Sequence, residues 1–352
     1  MKRLVALLAL FLVLALALPA CGPKQAAPGE LQRFHAEFIG LFDTLTQVIG
    51  YAESKALFEN QVQALKDDLE YYHQLYDIYK SYPDLTNLRD INLAAGQGPV
   101  KVDQAIIDLL LFARTKSAES GNRVNIALGA VLSLWHDARE RGRMNPAEAR
   151  LPDMASLEAA NRHVDIRDLL IDPEARTVEL QDPLLRLDVG AVAKGYAVEQ
   201  AALAAQARGV DHLLISVGGN VRAIGSRGDG SPWRVGIDNP DPANDDYLAV
   251  LSLEGLSLVT SGVTERYFQV QGKRYHHIID PDSLFPEDRY LSVSIVCSDS
   301  GLADLLSTAL FNLDLEAGQE LIEALEGTEA LWCLPDGSLV RSSGFTAFEG
   351  ND

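Results

Sequence analysis

The amino-acid sequence predicts an α+β fold, a single domain in which helices pack on a substantial sheet. Three observations point there. Apolar residues recur at helical spacing in the first third of the chain and again around 194–207 and 300–313. From 177 onward, and densely over 233–300, the apolar runs are short and strand-like, interrupted by Gly and Pro. No repeat or interdomain linker divides the chain after residue 30, so helices and strands share one body.

The elements follow in order. Met1-Lys2-Arg3 is a short basic start, and residues 4–18 carry no charge, Gly or Pro. That run is short for a membrane span and suits the apolar part of a secretory leader. Leu18-Pro19-Ala20-Cys21-Gly22 resembles the lipobox of bacterial lipoproteins, with Pro19 where a small residue is usual. Residues 1–20 are thus expected to be a lipoprotein signal peptide, and 21–30 a lipidated Cys21 with a flexible tether. A lasting hold on the bilayer takes more than one acyl chain. The folded part then spans 31–352, outside the cytoplasm, lipid-anchored to the cell membrane.

Over 31–80 the spacing of Phe34, Phe38, Leu41 and Phe42, and of Phe58, Val62, Leu65 and Leu69, predicts helix. Ser81-Tyr82-Pro83-Asp84 breaks it. Asp103 reads as the N-cap of a helix through Ala113, and 121–125 as a turn before the apolar run 126–136. Residues 177–180 and 185–189 read as strands. A helix over about 194–207 stops at Arg208-Gly209, and an apolar strand over 212–217 ends in Gly218-Gly219-Asn220. Residues 264–270 and 273–279 flank Gln271-Gly272 as a hairpin. Ser298 or Asp299 caps a last helix through about Leu313.

Composition narrows the function. The 352 residues carry 30 basic and 50 acidic side chains, a formal net charge of −20. A nucleic-acid surface needs clustered Lys and Arg, so that class is excluded; a local pocket for a phosphorylated small molecule is not. Three cysteines, an odd and low count, exclude a disulfide framework; Cys297 ends a strand-like run and Cys333 follows Ala330-Leu331-Trp332, which reads as two buried free thiols ahead of a single Cys297–Cys333 bridge.

Four segments could carry chemistry. Asp188-Val189-Gly190-Ala191-Val192-Ala193-Lys194-Gly195-Tyr196 is a bare strand-to-helix junction: free helix N–H groups there suit a phosphate, and a mere tight turn reads the same. Gly218-Gly219-Asn220 permits close approach of a ligand, or simply reverses the chain. His276-His277-Ile278-Ile279-Asp280-Pro281 suggests metal ligation or acid–base work. On a strand the two histidines face opposite sides, so one is structural or exposed and the other can accept a proton, unless both decorate a hairpin surface. Asp304 and Thr308 stand a helical turn apart among leucines. A carboxylate there wants a partner such as a hard cation, unless it is half exposed and Thr308 bonds back to its own helix.

In this order the segments resemble the ApbE family of FAD:protein FMN transferases, at 188–197, 218–225, 260–262, 276–281 and 304–308, with N-terminal matches at 42–44, 81–82, 124–129 and 134–135, so that the resemblance covers about 35–345. The resemblance implies a T-fold-like domain with a mixed or antiparallel sheet. It implies Mg²⁺-dependent transfer of the FMN moiety of FAD to a Thr or Ser hydroxyl of an acceptor flavoprotein, releasing AMP. FAD is then the substrate. The acceptor is expected to be a membrane electron-transfer subunit.

By the same resemblance Mg²⁺ lies between Asp304, Thr308 and the Ala191 carbonyl. Asp188 and Lys194 lie along the FAD. Phe42, Tyr82 and the Arg123, Val124, Asn125 turn line the flavin or adenine pocket, with Ile278 an apolar contact. His277 is the base, and Asp280 orients its loop or assists. Ser307 replaces a second carboxylate that some members carry. Asp282-Ser283-Leu284-Phe285-Pro286 replaces a loop with a cation and a turn glycine, so this loop is expected to bend differently. Two rivals use the same site: an FAD pyrophosphatase giving FMN and AMP, and a non-catalytic FAD-binding extracytoplasmic lipoprotein.

Overall fold

The computed structural model describes residues 30–350 apart from Glu265. The expected signal peptide over 1–20 and Cys21 lie outside the described residues. In chain order the elements are β1 (Gln32–Leu41), β2 (Thr44–Ala52), α1 (Lys55–Tyr76), α2 (Leu88–Leu93), β3 (Val100–Lys101), α3 (Gln104–Glu119), α4 (Gly129–Met144), α5 (Met154–Ala160), β4 (Leu169–Asp172) and β5 (Thr177–Leu180). There follow α6 (Ala193–Ala207), β6 (Leu213–Val217), β7 (Asn220–Ile224), β8 (Trp233–Ile237), β9 (Ala249–Leu253), β10 (Ser257–Gly262), β11 (Tyr267–Val270), β12 (Lys273–His276), β13 (Ser292–Cys297), α7 (Ser300–Phe311), α8 (Leu315–Glu323), β14 (Glu329–Cys333) and β15 (Leu339–Arg341).

An eight-stranded antiparallel sheet in the order β1-β2-β6-β7-β10-β13-β14-β15 organises the molecule. Strand alternation sorts its side chains to two faces. Val48, Ile215, Val217 and Ile224 meet Phe58, Leu65 and Leu69 of α1 and Val198, Ala201 and Ala202 of α6. Further along that face Val259, Val293 and Ile295 meet Ala303, Leu306 and Leu310 of α7. The opposite face packs Leu214, Ala223, Leu258, Val296 and Leu331 against the β8–β9 ribbon. A separate helical core built on α3 leans on the start of α6.

Most of the expected elements stand. Asp103 caps α3, accepting from the Ala105 N–H at 2.9 Å, and Asp299 caps α7. The β11–β12 hairpin turns on Gln271 and Gly272, both at positive φ, as a two-residue primed turn requires. Cys297 and Cys333 are free and buried.

Two expectations are corrected. Residues 32–52 form a hairpin, and helix begins only at Lys55, with Ser54 accepting from the Leu57 N–H. A spacing of four fits strand as well as helix, because four is a multiple of two. The deciding pattern is in β2, where Thr46, Val48, Gly50 and Ala52 are buried in alternation. Segment 185–189 is extended but joins no ladder, touching α4's start through one bridge from Arg186 to Leu128. The Asn92 side chain takes the place of a neighbouring strand, accepting from the Leu187 N–H at 2.7 Å and donating to its carbonyl at 2.9 Å.

Candidate functional site

The junction entering α6 and the first turns of α7 lie against each other at the middle of the sheet. Asp188 closes the turn, accepting from the Gly190 N–H at 2.8 Å. The Gly195 N–H, third in α6, is one of the donors that a helix's first turn leaves without an intrahelical partner. It donates to Asp304 Oδ2 at 2.7 Å. Only glycine permits this approach: a Cβ there would sit 2.3 Å from the Ser300 carbonyl oxygen and 2.4 Å from Asp304 Cβ. Asp304 is therefore held by α6, and the alternative of a half-exposed carboxylate falls, since it is 5% exposed. Burial pushes its carboxyl up, opposed by Lys194, the Gly195 N–H, Asn220 and Arg266. Thr308 follows one turn on and is half-buried. The bond back to the helix's own backbone comes from Ser307, which donates to the Asp304 carbonyl and pairs with the Ser261 hydroxyl at 2.7 Å.

Lys194 donates to the Gly218 carbonyl at 2.8 Å, tying the Gly218-Gly219 turn to the start of α6. Both glycines have positive φ. Asp188 is half-buried, and burial raises its carboxyl against the Gly190 N–H and the charges of His136, Arg266 and Arg139.

The two histidines part at a strand end. β12 stops at His276, so His277 already lies in the following loop. His276 spends both ring nitrogens on backbone: Nε2 lies 2.6 Å from the Glu287 carbonyl, and Nδ1 accepts from the Ile278 N–H. His277 Nδ1 is buried with no hydrogen-bond partner. Burial, then the charges of Arg266, His276, Arg139 and Lys194, lower its pKa to about 3, so the ring is neutral at ordinary pH. Asp280 is buried and builds the next turn, accepting from the N–H groups of Asp282 and Ser283. Its role is to shape the loop that follows His277.

That loop turns at Leu284. Leu284 holds φ of +61°, the left-handed conformation that a glycine takes freely. Its N–H donates to the Asp280 carbonyl, its carbonyl accepts from the Trp135 indole, and its side chain is buried beside Trp135. Packing and hydrogen bonds hold a leucine where the turn glycine is missing.

The remaining expected residues separate. Phe42 forms the β1–β2 turn with Asp43, both at positive φ, its N–H held by His73 Nδ1 and its carbonyl by Arg266. Tyr82 donates to Asp77 and lies across the ring of His73. Arg123 pairs with Asp282 and lies 3.9 Å from Asp280, so it braces the loop after His277. The Val124 and Ile278 side chains are core. The Asn125 amide donates to the Val164 carbonyl and its oxygen accepts from the Ala127 N–H. Sequence reasoning missed Arg139, Arg266, His136 and Tyr79, whose charges and rings converge on Asp188 and His277. Nothing local marks them apart from solvated side chains; only the fold gathers them.

Among the described residues no group of three or more His, Cys, Asp and Glu could hold a metal. A cation here would rest on one carboxylate, Asp304, with the Thr308 hydroxyl and the Ala191 carbonyl just ahead of α6. That all-oxygen, low-charge set suits a hard ion that keeps waters and takes phosphate oxygens as further ligands. Two cavities of about 260 and 220 Å³ lie elsewhere, between β1 and α1 and beneath Arg227 and Trp233.

The chain matches the ApbE family over residues 42–332. It is 34% identical over 295 residues to the FAD:protein FMN transferase of Treponema pallidum strain Nichols, covering 80% of each chain. With the FAD:protein FMN transferase of Klebsiella pneumoniae strain 342 it shares 32% over 278 residues, 77% of this chain and 84% of that one. The crystal structure of the ApbE protein of Thermotoga maritima superposes with a TM-score of 0.80 at 26% identity, covering 91% of this chain and all of the other. With its sheet and the α6–α7 junction in place, the chain belongs to the ApbE family.

Proposed function

We propose that this protein transfers the FMN half of FAD to a Ser or Thr hydroxyl of an acceptor protein and releases AMP. The observation that carries this reading is the α6–α7 junction, where a buried carboxylate, a backbone carbonyl and a hydroxyl stand near Lys194 and a neutral His277 whose Nδ1 has no partner. Asp304, Thr308 and the Ala191 carbonyl would hold Mg²⁺, which would supply neutralisation of the diphosphate's charge when bound.

The chain's own residues do the rest. Lys194, Arg139 and Arg266 set a positive field across the place between Asp188 and His277, where an anionic diphosphate is stabilised. Phe42 sits in a positive-φ turn sustained by its backbone bonds to His73 and Arg266, which ties the β1–β2 tip to one of those cations. His277 takes the proton of the acceptor hydroxyl. The hydroxyl oxygen then bonds to the phosphorus of the FMN half, the bridging P–O bond breaks, and AMP leaves with that electron pair. Diphosphate bound among the three cations offsets their repulsion of a proton and makes His277 a better base than in the free protein.

The leader and Cys21 support a lipid-anchored, extracytoplasmic enzyme, whose acceptor is a membrane electron-transfer subunit. The test compares membrane proteins of cells with and without this chain by mass spectrometry for covalent FMN, and the purified chain with FAD, Mg²⁺ and the modified protein. Covalent flavin and stoichiometric AMP are expected. Free FMN and AMP without labelled protein would instead mean hydrolysis, and neither product would end the proposal.

A further inference from the structure

β1 lies at one margin of the eight-stranded sheet, bonded to β2 on one side and to no strand of the described residues on the other. A long open edge invites pairing, and proteins deter it with charged side chains or Pro. The charges of β1 stand in an order that does the opposite. Strand alternation turns Phe34, Ala36 and Phe38, half-buried, toward α1 and leaves Arg33, His35, Glu37 and Ile39 exposed on the other face. Ile39 is 80% exposed, more than any other large apolar side chain among the described residues. Counted outward from His35, the exposed row is symmetric with its charge inverted. Arg33 stands two residues before and Glu37 two after, Leu31 four before and Ile39 four after. On the α1 side a large residue, Phe34, is balanced by a small one, Ala36.

We propose that β1 is the contact surface for a second copy of this chain, the two strands pairing antiparallel about a two-fold axis at His35. In such a contact residue i meets j and j meets i. Arg33 then stands opposite the partner's Glu37, and Leu31 opposite the partner's Ile39, each pair occurring twice. Phe34 stands opposite the partner's Ala36, beside the groove of about 260 Å³ that Ala36, Phe58 and Val62 line. The rim of that groove, Lys55, Glu59 and Gln63, is polar, as the border of an interface is. His35 meets its own copy at the axis, where two planar rings can lie face to face. Within one chain Glu37 touches His35 at 3.2 Å and accepts from Gln47 at 2.8 Å, which holds its carboxylate on the exposed face. Matched faces restrict the choice, because every allowed slide of the strands is by two residues. An axis at Phe34 sets Arg33 against the partner's His35 and Leu31 against the partner's Glu37. An axis at Ala36 sets Arg33 against the partner's Ile39. Only the axis at His35 matches the whole row. The bulge at Gly40, between Ile39 and Leu41, ends the pairable run where the complementary row ends. The pairing keeps α1, α6 and α7 of both chains on one side of the joined sheet, with the α6–α7 junctions away from the contact, at the middle of each sheet.

The test is sedimentation of the whole chain in mild detergent, beside oxidation of a His35→Cys variant. The wild type is expected to sediment as a dimer. The His35→Cys variant is expected to form an intermolecular disulfide, because directly opposed Cα atoms lie about 4.5–5.5 Å apart, within reach of that bond. Arg33→Glu and Glu37→Arg are each expected to weaken the dimer by at least about 10-fold, since each sets like charges opposite one another twice. Mixed together, the two variants are expected to recover the wild-type affinity, because both contacts between the unlike chains again join opposite charges. Recovery on mixing also shows that both variants are folded; if either fails to fold, the disulfide alone decides. A monomeric wild type, single variants that dimerise as the wild type does, or folded variants that stay monomeric when mixed overturn the proposal. A wild-type dimer whose His35→Cys form does not cross-link overturns the axis and the proposal with it. None of these outcomes alters the reading of the transfer reaction.

Discussion

His277 sits among cations, and that setting fixes how it answers to pH. Burial and the charges around it hold its pKa near about 3, below the ordinary histidine value. Between the two values the unfolded chain binds a proton that the folded chain refuses. Stability is therefore full above about pH 6.5 and is lost as pH falls toward about 3. In His277→Gln this dependence disappears, so urea midpoints across that window should show the variant gaining on the wild type as pH drops. Asp188 and Asp304, raised by burial, act in the opposite sense but are common to both proteins. The same variant is expected to lose about 10²–10⁴-fold in transfer rate while still binding FAD, measured by AMP release and flavin fluorescence. Asp304→Asn separates stability from function in another way. It removes a buried charge whose desolvation is only partly offset, so its melting temperature in EDTA should rise. The stabilisation that Mg²⁺ gives the wild type should be missing from it, and an unchanged Mg²⁺ response would remove Asp304 from the cation site.

At the scale of elements the decisive contact is α6 against α7, and it depends on a missing side chain. Gly195→Ala would drive a methyl into the Ser300 carbonyl and Asp304 Cβ, neither of which is a flexible tip that can swing away. The helices must separate, at a cost of about 1–3 kcal/mol, and Asp304 must lose the Gly195 N–H. Lower thermal stability together with a lost Mg²⁺ response is expected; a loss of stability alone would mean that the contact serves packing only. This junction was legible in the sequence because its signals are local: glycine and alanine at a helix entrance, and an acid and an alcohol one turn apart. The hairpin over 32–52 was not, since Phe34 and Phe38 satisfy both periods and the choice falls to the neighbours in β6. The histidine pair was half legible. Alternation predicted one structural and one free ring, but which was which depended on where β12 ends and on the Glu287 carbonyl that captures His276. Arg139 and Arg266 carried no signal at all, because a guanidinium brought in by tertiary packing looks, in sequence, like any solvated one.

For the molecule as a whole, the question is what keeps the two helices and the sheet in one register. Glu199 of α6 and Arg222 of β7 form a bidentate pair at 2.9 and 3.1 Å, both buried, and Glu199 also accepts the Ser300 N–H at the start of α7. One carboxylate thus joins three elements at the seam between the core under α1 and α6 and the core under α7. Burying such a pair gains little net stability, because desolvation consumes most of the attraction, yet breaking it is expensive. Arg222→Met alone is expected to destabilise by about 3–5 kcal/mol, since Glu199 keeps its charge and only the Ser300 N–H remains to meet it. Glu199→Leu combined with Arg222→Met removes both charges and should recover most of that loss in urea unfolding. If the pair's purpose were stability, the double variant would then match the wild type in every respect. If it fixes register, the double variant will be stable and yet respond weakly to Mg²⁺, because the Ser300 N–H at the start of α7 is no longer held onto α6. A stable double variant with a full Mg²⁺ response would show that the glycine contact alone places the carboxylate.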